Sequence, residues 1–145
     1  MQFRPYTNAD LETVVAIFRS NIPKYFSLEE EPGLRDFLAE RMADYYVLEV
    51  AGEVVGAGGI ALNNDQTVSL CWGMVRSNLL GKGLGRALTE FRIEKARENF
   101  GGLPLVISTS QHTQGFYEKF GFRLIEHTPD GFGPGIDSCK MRFGE

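Results

Sequence analysis

The sequence predicts a mixed α/β domain: one central, mostly antiparallel sheet flanked by helices, spanning residues 1–145. Three observations lead there. Short β-rich runs are joined by tight-turn residues, the mark of hairpins. Between them, apolar residues recur at spacings of three and four, as on one helix face. No linker, repeat or low-complexity stretch interrupts the pattern, and 145 residues fit one domain.

The elements follow in order. Phe3–Tyr6 is a short strand candidate. Thr7 and Asp10 have capping-box spacing, and Leu11, Val14, Val15 and Phe18 then repeat at helical intervals. A second helix starts just after Pro32-Gly33, with Leu34, Phe37, Leu38 and Met42 on its apolar face. Tyr45–Val50 reads as a strand, Ala51-Gly52 as a turn and Val54–Leu62 as the returning strand. Asn63-Asn64-Asp65 turns the chain into a strand over 67–75, on which Val68, Leu70, Trp72 and Met74 share a face. A glycine-rich segment leads into a long helix whose stripe is Leu84, Ala87, Leu88 and Phe91, ended by Gly101-Gly102. Leu105–Ser108 is a buried strand. Residues 112–120 form a helix with Phe116 and Phe120 one turn apart, capped by Gly121. A strand over Phe122–Glu126, a loop at 131–135 and a last strand over Ile136–Phe143 give the order βααβββαβαββ.

Composition excludes several classes. A net charge of −4 and a pI of about 5.3 give no whole-surface reason to bind nucleic acid. The longest apolar run, Val54–Leu62, holds three glycines and falls far short of the roughly 20 residues that cross a bilayer. No basic-then-apolar leader is visible at the N-terminus, so a cytoplasmic, reduced protein is expected. Cys71 and Cys139 read as small core hydrophobes, and with His112 and His127 they follow no metal-ligand spacing. The outlier is glycine, 17 residues, or about 12% against a usual ~7%.

Gly81, Gly83 and Gly85 crowd the segment between a strand and the long helix. The first N–H groups of a helix have no acceptor within it, and its dipole favours an anion there. Bare backbone lets a phosphate approach. Between Arg76 and Arg97 six Lys or Arg face two Glu. No Ser or Thr follows Lys82, which argues against a P-loop. The spacing GxGxG, after a hairpin, departs from the dinucleotide fingerprint. Anion binding and simple helix–sheet packing both remain open on this loop alone.

VRSNLLGKGLGRALTEF at 75–91 resembles the acyl-CoA-binding motif of the GNAT family of N-acetyltransferases, Q/R-x-x-G-x-G/A, with Gly83 and Gly85 matching and Leu80 in place of Gln or Arg. STSQHTQGFYEKFGF at 108–122 resembles the family's second cofactor-side motif. Phe116-Tyr117 and Gly121-Phe122 match, while Ser110 and Thr113 replace the common Asn and Ala. The order of elements is similar to the family's over nearly the whole chain. The resemblance implies an acyl-CoA N-acyltransferase fold, acetyl-CoA as cofactor and an amine acceptor, with homodimers common. Cofactor contacts would come from Met74, Val75, Gly81, Lys82, Gly83, Leu84, Gly85, Arg86, Ser110, Thr113, Phe116 and Tyr117.

In such a reaction an amine attacks a thioester. An alkyl ammonium, with a pKa of about 10.4, must first lose a proton. By resemblance, Gly73 is a bulge position, the N–H of Met74 or Val75 is the oxyanion donor, and Tyr117 protonates the departing thiolate. The strand over 67–75 lacks the Glu that family members often carry there, which leaves the base unassigned, His112 being one candidate. That gap keeps a second reading, a non-catalytic acyl-CoA-binding or regulatory module. Residues 27–40 hold five acidic groups and one Arg in the region that shapes the family's acceptor pocket. A cationic amine fits that charge, and so does a solvated helix start. Phe132 and Asp137, in the DGFGPGID segment, would stand near the acceptor entrance.

Overall fold

The computed structural model describes residues 1–40 and 44–144. In chain order its elements are β1 (Gln2–Pro5), α1 (Leu11–Ser20), α2 (Glu31–Glu40), β2 (Asp44–Val50), β3 (Glu53–Leu62), β4 (Val68–Val75), α3 (Leu84–Phe100), β5 (Leu105–Thr109), α4 (Gln114–Glu118), β6 (Phe122–Gly133) and β7 (Ile136–Phe143). The strands form one seven-stranded sheet in the order β1-β2-β3-β4-β5-β7-β6. Every pairing is antiparallel except β4 with β5. The predicted order of elements and fold class both hold. Among the described residues no helix is long and apolar enough to cross a membrane.

Two apolar clusters lie on the sheet. One gathers Val14, Val15, Ile17 and Phe18 of α1 with Leu34 and Leu38 of α2 against Val47, Ala57 and Met74. The other gathers Ile93 and Ala96 of α3 with Ile60, Val68, Leu70, Ile107 and Met141. The Thr7–Asp10 capping box forms as expected, Asp10 Oδ2 accepting the Thr7 N–H at 2.9 Å.

Several boundaries move, each for a local reason. α2 begins at Glu31, so Pro32 and Gly33 lie inside its first turn, where proline's missing N–H costs nothing. Ser27 and Glu30 form a capping box on the 3₁₀ turn ahead of it. Met42, expected on this helix, lies outside the described residues. The α-helical part of the 112–120 segment is only Gln114–Glu118. The flanks wind by i→i+3 bonds, Thr113 N–H to Ser110 O and Phe120 N–H to Tyr117 O. β6 runs to Gly133, well past Glu126, and the 131–135 loop becomes the bulged end and tight turn of a long hairpin with β7.

Two predicted faces need correction. On β4, Gly59 pairs with Cys71 and Ala57 with Met74, so Trp72 and Gly73 together oppose Gly58. This bulge inserts one residue and reverses the alternation. Val68 and Leu70 therefore join the cluster under α3, whereas Trp72 and Met74 join the one under α1 and α2. On α3 the buried residues are Leu88, Thr89, Arg92, Ile93 and Ala96, while Leu84, Ala87 and Phe91 are half-buried. The helix presents a face rotated from the predicted one, because it buries an arginine and a threonine.

Candidate active site

The site arises where the sheet comes apart. β4 and β5 pair only at Val68–Leu105, Ser69–Val106 and Leu70–Ile107. Beyond Leu70 and Ile107 the two parallel strands diverge, and a cleft of about 640 Å³ opens between them. Cys71–Val75 form one wall and Ser108–Ser110 the other. Antiparallel pairing with β3 still anchors the β4 wall. The bulge sits in this wall, with Trp72 at φ +45°, an uncommon conformation for a bulky residue. Such strain costs on the order of 1–3 kcal/mol and persists where neighbours enforce it. Here Tyr45 Oη donates to Trp72 O at 2.9 Å, and Asn21 Nδ2 donates to Val75 O at 2.9 Å. Asn21 is itself buried and donates to Ile17 O as well, tying the end of α1 to the end of β4.

The start of α3 closes one end of the cleft. Gly83 is its N-cap with φ +84° and ψ 0°, a left-handed conformation that favours glycine. An added Cβ there would meet nothing within 4 Å, so backbone conformation, rather than crowding within the protein, asks for glycine. At Gly85 a Cβ would stand 3.6 Å from Phe116 Cζ, an ordinary packing contact between α3 and α4. Gly81, Gly83, Gly85, Leu80 and Arg86 line the cleft. Lys82 and Leu84 are not part of its wall, and Lys82 is exposed.

From the opposite wall come Ser110, Thr113, Phe116 and Tyr117. Ser110 is buried, and its carbonyl accepts the Thr113 and Gln114 N–H groups that start α4. Its Oγ accepts the His112 N–H. Thr113 Oγ1 bonds Thr109 Oγ1 across the same turn. Tyr117 is 7% exposed, its ring set edge-on against Phe116 and Phe122. The cleft thus unites Met74, Val75, Gly81, Gly83, Gly85, Arg86, Ser110, Thr113, Phe116 and Tyr117.

The far end of the cleft is aromatic, with Tyr25, Phe26, Trp72 and Phe132 in its wall. Phe26 stacks on Trp72, and Tyr25 meets His112 edge-on. The β6–β7 turn delivers Phe132. Asp137 accepts the Asp130 N–H and bonds His127 Nε2 at 2.8 Å, and Gln111 bonds Gly135 O and the Asp137 N–H. The Asp130 N–H first, and then the His127 ring, keep the Asp137 carboxyl below its ordinary range. Asp137 shapes the turn, which answers why the DGFGPGID segment is built as it is.

The acidic run resolves into separate roles. Glu31 is held by Arg19 and Arg35, which lower its carboxyl to about 2. Glu30 alone of the five lines the cleft. Burial raises its carboxyl, against the Ser27 N–H bond that lowers it. Cys71 also lines the cleft, with burial pushing its thiol up to about 12, so it is no ready nucleophile. Among the described residues no group of three His, Cys, Asp or Glu side chains is placed to hold a metal ion.

Sequence reasoning missed Arg92. It is 1% exposed, reaches the cleft, and donates Nη2 to Tyr117 Oη at 3.2 Å. The available signal was its spacing, four residues after Leu88 and four before Ala96, in line with two apolar residues.

A sheet splayed at a glycine-started helix, with a buried tyrosine in the opening, is the arrangement that the GNAT resemblance implies. The sequence matches the family model of the acetyltransferase (GNAT) domain over residues 24–144, and the chain belongs to this family. No curated protein sequence matches it. Solved structures resemble it throughout their length. A ribosomal-protein-alanine N-acetyltransferase from Brucella melitensis has 22% identity and a TM-score of 0.77, with 100% of both chains covered. An aminoglycoside 6′-N-acetyltransferase complexed with coenzyme A has 16% identity and a TM-score of 0.76, covering 98% of this chain and 96% of that one. An N-acetyltransferase from Staphylococcus aureus Mu50 has 17% identity and a TM-score of 0.75, covering 99% and 97%. Identities this low speak to the fold.

Proposed function

We propose that the chain is an acetyl-CoA-dependent N-acetyltransferase that moves the acetyl group to a primary amine by direct attack in a ternary complex. The observation that carries this reading is the splay itself. It exposes the edge of β4 to an extended ligand that starts at the N-terminus of α3 and ends beside Tyr117. The structural relative complexed with coenzyme A shares this fold. Residues 1–145 act as one domain, since β1 and β6, from opposite ends of the chain, edge the same sheet.

When bound, acetyl-CoA supplies the activated acyl group. Its pyrophosphate would sit on the free N–H groups at Gly83–Arg86, with the Lys82 and Arg86 charges at hand. Val75 is the better oxyanion donor of the two residues considered. Its carbonyl is taken by Asn21 and the Arg76 N–H bonds Val55 O on β3, so the polar groups of Val75 face away from β3. Tyr117 gives its proton to the leaving thiolate.

The amine enters from the aromatic end. Glu30 stands there in place of the carboxylate that β4 lacks, which supports an enzyme over a non-catalytic module. With its carboxyl raised by burial, it is the base we assign. A protonated amine on an apolar body suits one half-buried carboxylate among four aromatic rings.

Tyr117→Phe tests the reading. Calorimetry should show acetyl-CoA binding retained, with CoA preferred over ATP and NAD. Thiol release with a panel of amines should slow about 100-fold. Unchanged turnover with chemistry rate-limiting would remove Tyr117 from the mechanism.

A further inference from the structure

Among the described residues, the largest side chain buried whole carries a charge. Arg92 leaves α3 and runs beneath the β4 bulge, where two glycines make room for it. A Cβ added at Gly73 would lie 2.5 Å from both Nη1 and Nη2, and one at Gly58 would lie 3.1 Å from Cδ. Nη2 donates to Tyr117 Oη at 3.2 Å. Nε and Nη1 are shut off from solvent and have no hydrogen-bond partner among the described residues. Arg92 forms no ion pair there either.

An unpaired guanidinium is costly to bury, so its retention calls for a use. A ligand carboxylate is a poor candidate partner, because Nε and Nη1 are sealed off. The charge also acts on Cys71 and Tyr45, but neither bonds it; Tyr45 Oη is committed to Trp72 O. Among the described residues, Tyr117 is the one cleft side chain that Arg92 hydrogen-bonds. A guanidinium only donates, so the phenolic oxygen must be the acceptor in their bond. The phenol's own proton is thereby directed elsewhere.

We propose that Arg92 is a positioning residue for proton donation by Tyr117: it holds the phenol by its oxygen, aims the proton into the cleft and stabilises the phenolate left behind. This rests on Tyr117 being the acid. In the step concerned, the acetyl C–S bond breaks with its electron pair going to sulfur. The Tyr117 O–H bond breaks as S–H forms, and the negative charge passes to Oη beside Arg92. The proton that Glu30 takes from the attacking amine is passed on through solvent and restores the phenol.

The test compares the native chain with Arg92→Met, Arg92→Lys, Tyr117→Phe and the double variant Arg92→Met/Tyr117→Phe. Acetyl-CoA is the donor and hydroxylamine, small and uncharged at neutral pH, the acceptor, with thiol release followed over a buffer blank. Circular dichroism melts establish that each variant folds. Arg92→Met should lower kcat about 10-fold to 100-fold and leave KM for acetyl-CoA within about twofold. Arg92→Lys should recover part of the loss. The double variant should be no slower than Tyr117→Phe alone. An unchanged kcat for Arg92→Met overturns the proposal, as does a further loss of equal factor in the Tyr117→Phe background. If Tyr117→Phe alone changes nothing, the acid assignment falls and this inference with it. No release above the blank by the native chain overturns both.

Discussion

Replacing Arg92 with methionine should leave the protein at least as stable as before. Each buried donor nitrogen left without an acceptor costs about 1–3 kcal/mol, so Nε and Nη1 together cost about 2–6 kcal/mol. Methionine forfeits the Nη2 bond to Tyr117, worth about 1.5–3 kcal/mol for a charged donor. Its flexible thioether refills much of the space between Gly58 and Gly73. Those ranges run from a loss of about 1 to a gain of about 4.5 kcal/mol and centre on a gain of about 2 kcal/mol, within the range found when buried ionic groups give way to apolar ones. For a domain of this size that is a rise of about 3–10 °C in Tm. Urea unfolding at neutral pH reads the change, and Trp72, the single tryptophan, reports from the cleft wall by its fluorescence. A loss of more than about 1 kcal/mol would refute the reasoning. It would mean that the two nitrogens have partners and that Arg92 serves the fold.

Three further expectations follow from the same geometry. Glu30→Gln keeps an acceptor for the Ser27 N–H but no base, so turnover at neutral pH should fall about 100-fold and the acid limb of the pH–rate profile should vanish; a profile identical to the native one would clear Glu30 of that role. Gly83→Ala, forced into φ +84° at the start of α3, should cost about 1–2 kcal/mol in urea unfolding and weaken CoA binding by calorimetry, although no atom crowds the new methyl; stability equal to native would contradict the left-handed cap. Acid should erode stability through Asp10, lowered first by its bond to Arg4, and Glu31, lowered to about 2 by Arg19 and Arg35. Both carboxyls are depressed on folding, so their contribution is full above the unfolded values of about 3.9 and 4.3 and is lost as pH falls through the folded ones; Glu31→Gln should flatten that decline in a pH series of thermal melts, and an unaltered slope would count against the pairing.

The order of elements was legible because each helix and most strands carry their own periodicity. Leu11, Val14, Val15 and Phe18 mark α1 without any help from tertiary contacts. β6 was half hidden because residues 123–130 are exposed on both faces, so no apolar alternation marks them. Of the site, the glycine segment and Phe116-Tyr117 were readable as motifs. Glu30 was not separable from its acidic neighbours, because only the arginines at 19 and 35, brought in by the packing of α1 and α2, decide that Glu31 is paired. Arg92 broke an apolar stripe, which sequence alone equally reads as an exposed position.

The bulge at Trp72-Gly73 explains why so much of the site depends on one residue that no periodicity could place. An extra residue turns Gly73 toward α3, and the missing Cβ admits the guanidinium beneath it. It also swings Trp72 and Met74 onto the α1–α2 side, where Trp72 joins the aromatic end of the cleft. And it lies just past Leu70, where pairing with β5 stops, so the backbone it redirects borders open space. Removing the bulge would restore Trp72 to the α3 face, on which Arg92 already lies. The two side chains would then compete for one volume. A buried arginine on α3 and a glycine at 73 are therefore parts of one arrangement, and Tyr117 is bonded to that arginine in the cleft.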